Sequence, residues 1–144
     1  MDDITLRNAV YKGTKHLKPQ STPTPGSNNF NAAADDYLEH SIDLNEQLIT
    51  NKRATYFFRM HSDVMTDAGI HPGDILVVDR SLAAVSGKII VAALDGELIV
   101  RRYQQVMNKT SLIPENKSYS SIQIGDLTNC HTWGVVTYVI HTVC

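Results

Sequence analysis

Cysteine is scarce in this chain. Only Cys130 and Cys144 occur in 144 residues, and Cys144 is the last residue. A structural disulfide is not expected, and a reducing, cytoplasmic setting fits this usage. Long apolar runs are missing too. No stretch approaches the roughly 18 residues of a membrane span, and the opening "MDDITLRNAVYKG" has no signal-peptide apolar segment. Charge of one sign is not in excess: 13 Lys and Arg stand against 15 Asp and Glu, a formal −2. Nothing global therefore draws the chain to nucleic acid. Metal spacing is absent as well. His16, His40, His61, His71, His131 and His141 never fall at i, i+4, and no C-x-x-C occurs, so neither a metal nor a cofactor is expected.

What is present is a foldable chain, 42% apolar and 19% charged, of a size for one domain. Residues 1–34 stand apart. "LKPQSTPTPGSNNFNAAA" holds three prolines and many small polar residues, too little apolar surface to offset its ordering entropy. It reads as a flexible N-terminal arm, with residues 35–144 as the folded domain. In "IDLNEQLIT", Asp43 is a helix N-cap with Glu46 three residues on, opening a short helix that carries Leu44, Leu48 and Ile49. Beyond it the chain reads as short strands: "TYFFRM", "GDILVVDR" after the Pro72-Gly73 turn, "KIIVAALDGELIVRRY", "SLIP", "SIQI" and "WGVVTYVIHTV". That pattern predicts a mainly β, compact, strongly curved or barrel-like domain with one short helix.

The hairpin allows finer reading. Asp95-Gly96 suits the positive-φ positions of a two-residue turn. Leu94 then faces Glu97, Ala92 faces Ile99 and Ile90 faces Arg101. Both faces of this pair are partly apolar, as for strands near the middle of a fold. An arginine at 101 needs a carboxylate or carbonyls to satisfy its charge.

Over roughly residues 33–142 the sequence resembles the UmuD/MucA family, kin of the self-cleaving domain of LexA repressors. The resemblance rests on "AADDYLEHSIDLN", "ATYFFRM", "SDVMTDAGIHPGDILVVDR", "GKIIVAALDGELIVRRY", "LIPENKSYSSI" and "WGVVTYVIHTV". It implies the curved LexA/UmuD C-terminal-type β fold behind a flexible arm, and dimerisation. It also implies a self-cleaving serine-type peptidase: a serine in a Gly-Asp-Ser-Met-like turn attacks a bond in the arm, and a buried neutral lysine takes its proton.

Residue by residue, the resemblance places Asp63 and Met65 on the family's Asp and Met, Ser62 on its glycine and Val64 on the nucleophile serine. It places Arg101 on the general-base lysine and Asn28-Asn29 on the cleaved dipeptide. Valine cannot form an acyl intermediate, and arginine, with a pKa above about 12, is no general base. Ser62, Lys88 and His61 are the residues from which displaced chemistry would have to be assembled. An ion pair of Arg101 with Asp63 would fill the former groove.

The resemblance thus implies a non-cleaving accessory or regulatory protein of the SOS response and error-prone translesion DNA synthesis. Its implied partners are a second copy or an intact UmuD-type protein, a Y-family DNA polymerase of UmuC type, and the RecA filament. The alternative is a RecA-stimulated self-cleaving peptidase using displaced residues. A LexA-like transcriptional regulator fits worse, because residues 1–34 are too short and proline-rich for a helix-turn-helix, and sequence-specific DNA binding is not expected. The polar stretch "KPQST" lacks the aromatic-aliphatic segment with which UmuD's arm touches the sliding clamp.

Overall fold

The computed structural model describes residues 2–7 and 41–144. The chain divides into two compact units: residues 12–47, of which 41–47 are described, and the remainder. Asp43, in the smaller unit, caps helix α1 (Leu44–Leu48), its carboxylate accepting the Asn45 amide at 3.0 Å. This satisfies one of the donors a helix start leaves open. Leu44, expected on an apolar face, is exposed, whereas Ile49 beyond the helix is buried.

The described residues of the larger unit form one antiparallel sheet of eight strands: β1 (Ile4–Leu6), β2 (Thr55–Met60), β3 (Ile75–Asp79), β4 (Ile89–Leu94), β5 (Glu97–Val106), β6 (Lys109–Ile113), β7 (Ile122–Ile124) and β8 (Cys130–Ile140). Their spatial order is β1-β2-β3-β8-β4-β5-β6-β7. The β4–β5 register is the one read from sequence: Leu94 opposite Glu97, Ala92 opposite Ile99, Ile90 opposite Arg101. Asp95 and Gly96 take φ of 50° and 84°, as a two-residue hairpin turn requires.

Both faces of the hairpin are buried. Val91 and Val100 join Phe58, Met60, Leu76 and Val78 in one apolar cluster, and Ile90, Ala92 and Ile99 join Leu112 and Val135 in another. With no long helix among the described residues to cover it, the sheet buries both faces by curling round itself. Here it curls until Asp3, just before β1, donates its amide to the Leu98 carbonyl of β5 at 3.0 Å.

The bend is concentrated in β8. Its register slips by one residue at Thr137 against β3 and at Trp133 against β4. Such bulges raise the local twist. Between them Gly134 lies so close to β3 that a Cβ there would stand 2.7 Å from Val78 Cγ1. Trp133 packs edge-on against Tyr56 and Phe58, with the Arg80 guanidinium 4.3 Å above its ring.

The start of the chain differs from the expectation. Ile4–Leu6 is not a free arm but strand β1, paired with β2 through Ile4–Met60, Thr5–Arg59 and Leu6–Phe58. Ile4 seats it at 3% exposed, whereas Leu6, which alternation puts on the same face, is 43% exposed at the end of the strand. The remainder of the arm, the boundary near residue 34, and Asn28-Asn29 lie outside the described residues.

Candidate functional site

β2 ends at Met60, and the chain turns through His61, Ser62 and Asp63 into a 3-10 turn at Thr66–Ala68. The Val64 amide donates to Ser62 Oγ at 3.1 Å. This local side-chain bond makes 62–64 a turn rather than extended chain. Val64 and Met65 drop into the core, both 0% exposed. From the far side Glu115 locks the turn: its amide donates to the Val64 carbonyl at 3.1 Å and its carbonyl accepts the Asp67 amide at 2.8 Å. Arg102 holds Glu115 in place through Nε and donates from Nη1 to the Gly87 carbonyl.

Asp63 faces outward. Its carboxylate accepts the Tyr119 hydroxyl at 2.5 Å and its carbonyl accepts Asn116 Nδ2 at 2.8 Å. The Asp63 bond holds the Tyr119 proton on and pushes the phenol above its ordinary value, with Ser62 alongside acting in the opposite sense. An open cavity of about 560 Å³ joins this turn to the start of the chain, with Asp2, Asp3, Ser62, Asp63 and Tyr119 in its wall.

Arg101 is 8% exposed and does form an ion pair, but not with Asp63. Its Nη1 lies 2.6 Å from Asp3 Oδ2 and also donates to the Val100 carbonyl at 2.8 Å. The expected partner is corrected because β1 delivers a carboxylate to β5 from 98 residues away, while Asp63 is taken by Tyr119.

Of the residues from which displaced chemistry would be built, His61 and Ser62 line the cavity beside this turn, whereas Lys88 does not. His61 Nε2 bonds Thr5 Oγ1 at 2.5 Å, across β1. Lys88 is exposed and lines a different cavity with Leu82, Val85 and Tyr138. The Cys130 thiol is pushed up by burial, which disfavours the reactive thiolate. Among the described residues no group of three His, Cys, Asp or Glu could hold a metal ion, and no helix is long and apolar enough to cross a membrane.

Residues 26–137 match the family described as peptidase S24-like. The chain belongs to that family. Within it the chain is 38% identical over 112 residues to protein SamA of Salmonella typhimurium, covering 78% of this chain and 77% of SamA. It is 38% identical over 118 residues to protein MucA of Escherichia coli, covering 80% of each. A LexA repressor of Bordetella parapertussis is 31% identical over 109 residues, 76% of this chain and 50% of the repressor. This S24-like chain therefore sits with the UmuD/MucA branch, and the curled sheet is the fold that the resemblance implied.

Four residues of the S24-like site escaped the sequence reading: Asp2, Asp3, Thr5 and Tyr119. Tyr119 lay in a segment used only for the resemblance. The β1 residues carried a usable signal, the alternation in "DITLR", which the proline-rich stretch behind it obscured.

Proposed function

We propose that this chain is a UmuD-like accessory protein of the SOS response and error-prone translesion DNA synthesis that does not cleave itself. One observation carries the reading: the residue the resemblance puts at the nucleophile, Val64, is 0% exposed and packed with Met65 and Ile70. It lacks an oxygen, and its side chain contributes to the core. The base position supports this reading, since a guanidinium is no general base and Arg101 is engaged by Asp3. Ser62 offers no ready replacement. Its oxygen receives the Val64 amide, Tyr119 beside it keeps its proton at neutral pH, and His61 in the same cavity is bonded to Thr5.

The partners in this reading are a second copy or an intact UmuD-type protein, a UmuC-type polymerase and the RecA filament, in the cytoplasm. A chain that stays full-length would act by holding such an assembly in its uncut state.

The test is incubation of the purified chain with RecA, ATP and single-stranded DNA, followed by intact-mass measurement. The expected result is unchanged mass, with arm scission appearing only in the Val64→Ser/Arg101→Lys double variant. Specific scission of the unaltered chain would overturn the proposal and establish a self-cleaving peptidase with displaced residues.

A further inference from the structure

β5 has a neighbour missing on one side. β6 pairs with it only from Arg102 onward, so among the described residues the edge over Leu98–Arg101 meets no strand there. Buried backbone groups left unpaired are costly, yet these are all satisfied. The Leu98 amide donates to Asp2 Oδ1 at 2.9 Å, and the Leu98 carbonyl accepts the Asp3 amide at 3.0 Å. The Val100 amide donates to Asp3 Oδ2 at 3.0 Å, and the Val100 carbonyl accepts Arg101 Nη1.

The same few residues satisfy the edge of β2. The His61 amide donates to the Asp3 carbonyl at 2.8 Å, and the Arg7 amide to the Phe57 carbonyl at 2.9 Å. Ile4 enters the core between the two edges.

We propose that this slot is a peptide-binding site, selective for an extended strand carrying a carboxylate followed by a β-branched aliphatic residue, and that residues 2–7 are its resident ligand. Three features give the selectivity. Arg101 Nη1 and the Val100 amide converge on one carboxylate oxygen, a charge-assisted arrangement that an amide side chain does not reproduce. Arg101 Nε, buried and without a partner among the described residues, deepens the preference for negative charge. The Ile4 socket sets size, and the two edges demand extended backbone, as in strand addition. Any other extended segment brought to the turn at 62–65 and to Arg101 must first displace Asp3. The inference concerns recognition, not cleavage, and stands apart from the function proposed above.

Hydrogen exchange on the full chain tests it first. The amides of Asp3, Arg7, His61 and Val100 should be protected by about 100-fold or more over unstructured chain. Asp3→Asn should cut that protection about tenfold while leaving β3 amides unchanged. A fluorescent peptide of residues 1–8 is then added to the full-length Asp3→Asn/Ile4→Asp variant, in which the resident strand is loosened. Saturable binding is expected, about tenfold weaker for the Asp3→Asn peptide, with that difference lost in an added Arg101→Gln background. Unprotected wild-type amides would overturn the proposal, and so would a peptide that binds equally well with Asp or Asn. Should the double variant not fold, the wild-type and Asp3→Asn exchange patterns decide alone.

Discussion

The two edges of β5 are closed by different means. Toward β4 the edge is a regular ladder, six residue pairs joined by a two-residue turn. On the other side, over Leu98–Arg101, closure is by the carboxylates of Asp2 and Asp3 and by a guanidinium. The first edge is local in sequence and made of backbone, so it resists almost any side-chain change. The second spans 98 residues and depends on individual side chains. A single substitution can open it while the ladder stays intact.

The sharpest way to break this contrast is at Asp3. The Asp3 and Arg101 side chains are only 10–13% exposed, so Asp3→Ala leaves a buried charge and the Val100 amide without their acceptor. We expect a loss of about 3 kcal/mol, its upper limit set by the release of β1 into water. Combining it with Arg101→Met should recover part of that loss, because the orphaned charge is removed. Urea denaturation of the two single variants and the double variant measures the coupling.

A smaller effect is expected on the ladder side. Gly96 has φ of 84°, and Gly96→Val should cost about 1–2 kcal/mol from left-handed strain. It should leave exchange at Asp3 and His61 unchanged; loss of protection there would mean the two edges are not independent.

The smallest effect concerns Tyr119. Its hydroxyl donates to Asp63, so the folded chain holds that proton above the ordinary tyrosine range. The native state then binds more protons than the unfolded state as pH rises past that range, and stability falls there. Asp63→Asn should bring the phenolate absorbance change of this residue to lower pH, whereas Tyr119→Phe should remove it and leave neutral-pH stability nearly unchanged.

Sequence reasoning reached the ladder side and stopped at the other. The register of β4–β5 was legible because Asp95-Gly96 fixes it through backbone geometry alone. The Asp43 cap was legible for the same reason, a side chain acting within two residues. That Arg101 needs a counter-charge also followed from its place on a partly apolar face. Which carboxylate answers it did not, since Asp63 lies near in the motif and Asp3 is near only in the folded sheet. The two bulges of β8 were likewise invisible. They flank the close pass of Gly134 by Val78 and the Trp133 ring against Tyr56 and Phe58, which no alternation pattern encodes.

The position of β8 sets an order of events during synthesis. It is made last among the eight strands, yet it lies between β3 and β4, which do not pair with each other. Until residues 130–140 leave the ribosome, no strand pairing among the described residues joins β1–β3 to β4–β7, and only side-chain and loop bonds, among them those of Asp2 and Asp3 to Leu98, Val100 and Arg101, span the gap. The fold is thus sealed by its final strand, and the long-range pairing this needs belongs to the slow class of folding reactions. A growing chain of this design is most open to wrong partners in the moments before β8 is made.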